Sequence, residues 1–152
     1  MISKENLRVI EHESKELFSK LGIEGEVRVE AGEENAVSIS IHTAEPQLFI
    51  GDRGQALAEI QHILKFILKK KVQEQFYLSV DINDYKKSKE QYLRELARTA
   101  ADEVALLKKP KELDPMSSAE RRVVHMELAE RSDVSSESEG EGENRRIIVK
   151  PK

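Results

Sequence analysis

Two short groups of residues in this sequence have types and spacing suited to chemistry. The first is Gly51-Asp52-Arg53-Gly54. Glycine lacks a Cβ, so it admits the close approach of another backbone and takes dihedrals that other residues avoid. The apolar run Leu48-Phe49-Ile50 precedes the loop, and a helical pattern of Leu57, Ile60, Ile63, Leu64, Ile67 and Leu68 follows it. A tight glycine turn opening a helix directs backbone N–H groups and a positive helix end outward, which suits phosphate. The second group is Arg121 with His125, which share one face of a helix at i and i+4. Arg122 lies about 100° round from Arg121. Taken alone, a GxxG is most often a helix–helix turn, and an isolated Arg-xxx-His a solvated helix face. A third group, Lys69, Lys70 and Lys71 after Phe66, reads either as a basic helix C-terminus favoured by the dipole or as the lining of an RNA path.

Catalytic groupings are missing. His12, His42, His62 and His125 are scattered without metal-ligand spacing. There is no Walker loop, HExxH or nucleophile elbow. The sequence calls for no cofactor and no metal, and points away from an enzyme.

The elements that would position these groups follow from periodicity. Residues 3–21 pattern as an amphipathic helix, stopped by Gly22. Val27, Val29 and Ala31, then Val37, Ile39 and Ile41, alternate as two strands joined at Gly32-Glu33-Glu34-Asn35. Pro46 opens a short helical turn ending at Ile50. Residues 55–71 form a second long helix, and Phe76, Leu78, Val80 and Ile82 alternate as a third strand. The third strand is expected in the same sheet, with the helices on one face. Residues 84–107 form the longest helix, about 36 Å at 1.5 Å per residue. It is too long to serve only the first unit, and Pro110 ends it. Ser117 and Glu120 have capping-box spacing, so a helix starts there and runs to Arg131. Residues 133–139 read as an exposed strand and Gly140–Asn144 as a loop, with a disordered acidic linker over 133–144 as the other reading. Arg146-Ile147-Ile148-Val149 is a last strand. The fold class is α+β, in two small domains.

Composition bounds the partners. The chain has 152 residues, 38% hydrophobic and 36% charged, so each core is modest. The net charge of −4 runs against a uniformly basic nucleic-acid-binding surface, so any attraction for phosphate must come from local patches. Cysteine is absent, which excludes disulfides and thiolate metal sites and suits a reducing cytosol. The charged N-terminus is not a signal peptide, and no apolar run approaches the roughly 20 residues that cross a bilayer. A cytoplasmic protein is expected.

The order helix, two strands, short helix, GxxG, helix, strand over residues 1–82 resembles a bacterial-type KH domain, carried by Leu48-Phe49-Ile50-Gly51-Asp52-Arg53-Gly54-Gln55-Ala56-Leu57. The resemblance implies that the loop residues Gly51, Asp52, Arg53 and Gly54 clamp a single-stranded RNA backbone while an adjoining groove takes the bases. Asp52 departs from the basic residues usual in the middle of such loops. Arg121-Arg122-Val123-Val124-His125, preceded by Asp114-Pro115-Met116-Ser117 and followed by Ser136–Gly140 and Arg145–Val149, resembles the R-three-H domain. That likeness implies that Arg121 and His125 donate to phosphate oxygens, and that Arg145 and Arg146 join them on one basic face, with Arg122, turned to the sheet edge or solvent, as a further RNA-binding candidate. The two in this order resemble the bacterial Jag (SpoIIIJ-associated) family. The division expected is a KH domain over 1–82, a connecting helix over 83–110 and an R-three-H domain over 111–152. The expected function is non-enzymatic binding of single-stranded RNA, with single-stranded DNA as the other candidate, in post-transcriptional regulation. A protein-interaction adaptor, with another small KH protein as partner, is the alternative.

Overall fold

The computed structural model describes residues 1–152, which form two compact units, Met1–Tyr85 and Lys86–Lys152. In the first, α1 (Lys4–Lys20) starts at Ser3, whose hydroxyl accepts the Asn6 N–H. Its apolar stripe buries Ile10 and Phe18. Strands β1 (Glu26–Ala31) and β2 (Ala36–His42) pair antiparallel, Val29 opposite Ile39. The link between them is one 3₁₀ turn in which Glu34 and Asn35 take positive φ. Next come α2 (Pro46–Ile50), the glycine loop and α3 (Gln55–Lys71). Strand β3 (Tyr77–Ile82) then pairs parallel to β2. Parallel neighbours need a crossover connection, and the α2–loop–α3 segment supplies it. The order β1-β2-β3 leaves β3 at an edge.

Alternation decides which face is covered. Val37, Ile39 and Ile41 of β2, with Leu78, Val80 and Ile82 of β3, bury against Ile10 and Phe18 of α1 and Leu57, Leu64 and Leu68 of α3. Burying one such side chain contributes roughly 1.5–3 kcal/mol, so this apolar layer holds the strands and helices in one unit.

In the second unit, α4 (Tyr85–Leu107) precedes β4 (Lys111–Glu112), α5 (Ser118–Ala129), β5 (Val134–Glu139) and β6 (Arg146–Pro151). The sheet is antiparallel in the order β4-β6-β5. Ser117 caps α5 in a complete capping box with Glu120. The segment 133–139 is a strand from Val134 on, paired residue for residue with β6.

The helix expected to be a connector over 83–110 does more than connect. Leu93, Ala97, Ala100, Ala101 and Val104 of α4 share a core with Leu113, Val124, Leu128, Val134, Ile147 and Val149. Arg94 and Arg98 of α4 also pair with Glu127 of α5, at 3.1 and 2.5 Å. The physical reason is surface: a three-stranded sheet with a two-residue edge strand and one 12-residue helix has too little apolar area to close a core alone. No helix is long and apolar enough to cross a membrane.

Candidate nucleic-acid interface

The first candidate site is the turn between α2 and α3. Gly51 has φ +73° and Gly54 φ +79°. A Cβ on Gly51 would lie 2.7 Å from the Ala56 Cβ and 2.9 Å from the Ala56 nitrogen. One on Gly54 would lie 2.8 Å from Cε1 of Tyr85. Both positions therefore demand glycine twice over, by dihedral and by space. Arg53 also sits in the left-handed region, at φ +53°. Asp52 and Arg53 are exposed at the tip. Gly54 is the N-cap of α3 and offers no capping side chain, so the helix presents its first turn of backbone N–H groups at the loop.

The three lysines expected on an RNA path part company on α3. Lys69 faces a concavity shared with Lys65. Lys70, one residue on, stands over the Phe66 ring with its Nζ 4.9 Å from the centroid. Lys71 turns to Glu13 at 2.6 Å.

The second site lies on the helix-covered side of the β5–β6 hairpin. Residues two apart in a strand share a face. Val134, Ser136 and Ser138 of β5 therefore face the same way as Ile147 and Val149 of β6, their register partners or neighbours. His125 of α5 meets this face, its Nδ1 2.7 Å from the Ser136 hydroxyl. That contact occupies one ring nitrogen and leaves Nε2 for a ligand. Burial, and after it the Arg121 charge, pushes the His125 pKa below the ordinary histidine value. Arg121 donates through Nη1 to the Met116 carbonyl at 2.7 Å, and the Met116 N–H donates to the Arg145 carbonyl at 3.1 Å. Arg145 donates to the Ser138 hydroxyl at 2.9 Å and to the Gly140 carbonyl at 3.1 Å. The Asp114–Ser117 turn thus ties Arg121 to Arg145, while the two serines hold His125 and Arg145.

One expectation is corrected here. Arg146 does not join Arg121, His125 and Arg145 on one face. Arg146 opens β6 one residue before the core-facing Ile147, so it turns to the opposite side of the sheet. There it makes a two-pronged contact with Glu112 of β4, at 3.2 and 3.3 Å. Lys150, on the same side, pairs with Glu137 at 2.6 Å. Arg122 is exposed beside Arg121 and has no acidic partner. Ser136 and Ser138 had no role in the sequence reading. Their signal was present in the period-two pattern of Ser136, Glu137, Ser138 and Glu139, which puts hydroxyls on one face and carboxylates on the other.

No cluster of histidine, aspartate and glutamate is placed to hold a metal ion. The fold and the two sites define a class: a GxxG crossover unit followed by an Arg-xxx-His unit. Residues 7–90 match the KH domain family and residues 91–151 the R-three-H domain family. Among curated relatives, RNA-binding protein KhpB of Streptococcus pneumoniae serotype 2 is 30% identical over 114 residues, covering 75% of this chain and 35% of the relative. The protein of the same name from Bacillus subtilis is 33% identical over 107 residues, 69% of this chain and 51% of its own length. That from Clostridium symbiosum is 26% identical over 135 residues, 88% and 61% respectively. The chain thus spans between about a third and three fifths of these relatives. It belongs to the Jag family, in which a KH domain is followed by an R-three-H domain.

Proposed function

We propose that this chain binds single-stranded RNA without catalysing a reaction. The KH loop Gly51–Gly54 would grip the backbone, and the Arg121, His125 and Arg145 face, with Arg122 at its side, would take phosphates of the same strand. The observation that carries this reading is how the cations of the second unit are partnered. Arg131, Arg146 and Lys150 each bond a carboxylate. Arg121 and Arg145 bond only neutral oxygens, and Arg122 bonds nothing. Cations left without carboxylates on one face of an acidic protein keep their charge for an outside anion. Relatives named RNA-binding proteins support RNA as that anion. A post-transcriptional regulatory role is the physiological setting this activity suits.

The test is fluorescence anisotropy with a single-stranded RNA across a salt series. Replacing Arg121 and Arg122 together by Ala is expected to weaken binding of every sequence alike. It should also flatten the slope of log K against log salt by about 0.7 for each phosphate no longer neutralised. An unchanged slope would remove these residues from the interface.

A second reading, docking of a protein such as another small KH protein on the first unit, draws on the exposed apolar side chains Leu48, Ile63 and Phe66. Capture from lysate after ribonuclease treatment separates the two. A partner that survives digestion supports docking, and one that disappears with the RNA supports the first reading.

A further inference from the structure

One contact of His125 decides what its ring can do for an anion. Burial and the Arg121 charge favour the neutral ring, which carries a single proton, on Nδ1 or on Nε2. Nδ1 lies 2.7 Å from the Ser136 hydroxyl. Nε2 bonds nothing in the chain and is not sealed off. The one buried side-chain polar atom without a partner is Asn35 Oδ1, in the other unit, so Nε2 opens to solvent. A protonated Nε2 donates to a phosphate oxygen; a bare one turns a lone pair toward it and repels.

The serine settles which nitrogen holds the proton. A serine hydroxyl has one proton to give and two lone pairs. That of Ser136 has no partner in the chain besides His125. Donating to a bare Nδ1 uses its proton, whereas accepting from Nδ1–H would leave that proton without an acceptor in the chain. Arg145 does not compete for the hydroxyl, because it is held by Ser138 at 2.9 Å and by the Gly140 carbonyl at 3.1 Å. The backbone fixes the donor. Ser136 sits within β5, opposite Val149 of β6, and Val134 two residues before it is anchored in the core.

We infer that Ser136 is a positioning residue of the RNA-binding face: its hydroxyl donates to Nδ1, holds His125 as the Nε2–H tautomer, and so makes the uncharged ring a hydrogen-bond donor to a phosphate oxygen. This rests on the RNA reading above and adds to it how a neutral histidine serves an anion. Arg121, four residues earlier on the same helix face, supplies the charge, and the ring supplies the direction. When the ring takes a second proton, the same hydroxyl turns to accept from Nδ1–H, so the contact survives in both states.

Long-range ¹H–¹⁵N spectra of the free full chain at about pH 7.5 read the tautomer directly, and Nε2 of His125 is expected to carry the proton. Anisotropy with a single-stranded RNA at the same pH then compares Ser136→Val with Ser136→Thr. The two side chains have the same shape and both suit a strand, but only threonine returns the hydroxyl. Valine is expected to weaken binding about fivefold, the size of one hydrogen bond, and threonine to recover most of the loss. In a His125→Ala chain, Ser136→Val is expected to cost nothing further, because the serine acts through the ring. Amide spectra confirm that each variant is folded, and the tautomer of the unaltered chain is read without any variant. A proton on Nδ1 in the free chain, or equal affinity of the valine and threonine variants, overturns the positioning role. A loss that persists in the His125→Ala chain gives Ser136 its own contact with the RNA and overturns that role as well. Each of these leaves RNA binding by the unaltered chain in place. No binding by the unaltered chain overturns the RNA reading, and the phosphate role of the ring with it, even where Nε2 carries the proton.

Discussion

At the scale of single residues, His125 couples the candidate R-three-H face to pH. Burial and the Arg121 charge hold its pKa below the ordinary histidine value, so the free protein keeps the ring neutral near pH 7. A phosphate beside Nε2 would favour the imidazolium and raise the pKa, and binding would then take up a proton. The sign follows: affinity for single-stranded RNA should rise as pH falls through and below about 6.5. Replacement of His125 by Gln should flatten the profile, and anisotropy between about pH 7.5 and 5.5 reads both. Asp52 makes the opposite kind of contribution, an exposed carboxylate where the KH loop would meet phosphate. Asp52→Lys should raise affinity several-fold at low salt, and an unchanged value would mean that the loop tip does not face the strand. The glycines themselves are poor probes. Replacing Gly51 and Gly54 by Asp would test the clamp only if it spared the fold. With positive φ at both, and Ala56 and Tyr85 under 3 Å from the added Cβ atoms, such variants are strained and their weaker binding would be ambiguous.

At the scale of elements, periodicity carried most of the fold because each long element pairs one apolar face with one core. Residues 3–21, 55–71 and 84–107 read as helices, and the structure has Lys4–Lys20, Gln55–Lys71 and Tyr85–Leu107. The alternation of Val37, Ile39 and Ile41 gave a strand for the same reason. What periodicity cannot give is the partner. The apolar stripe of α4 shows that the helix is covered, but only the structure assigns it to the second core. Strand β4 was missed because Lys111 and Glu112 have no apolar pattern; they are strand only through β6, with Lys111 opposite Val149. Likewise, Arg145 and Arg146 were both legible as basic, yet their separation onto opposite faces follows from strand phase and the position of Glu112. Two checks belong at this scale. Ser117→Ala should cost about 1 kcal/mol in chemical denaturation, because it breaks one half of the α5 capping box. Residues 86–152 produced alone should unfold cooperatively, and residues 111–152, lacking α4, should not. A folded 111–152 fragment would return α4 to the role of a plain connector.

At the scale of the whole molecule, an acidic chain of net charge −4 is read as an RNA binder because its charges are sorted rather than summed. Carboxylates neutralise Arg146, Lys150 and Arg131, while Lys65 and Lys69 of α3 and the Arg121–Arg145 face keep unneutralised donors. Two modest sites on one chain gain through effective concentration when one strand reaches both. The central claim is that both motifs touch one single strand. The most direct test is a titration of the ¹⁵N-labelled chain with an unstructured RNA, followed by amide and side-chain shifts. The account predicts saturable changes in two groups, at Gly51–Ala56 and at Arg121, His125, Ser136 and Arg145, with the same midpoint. Changes confined to one group, or to the exposed face of Ile63 and Phe66, would contradict it.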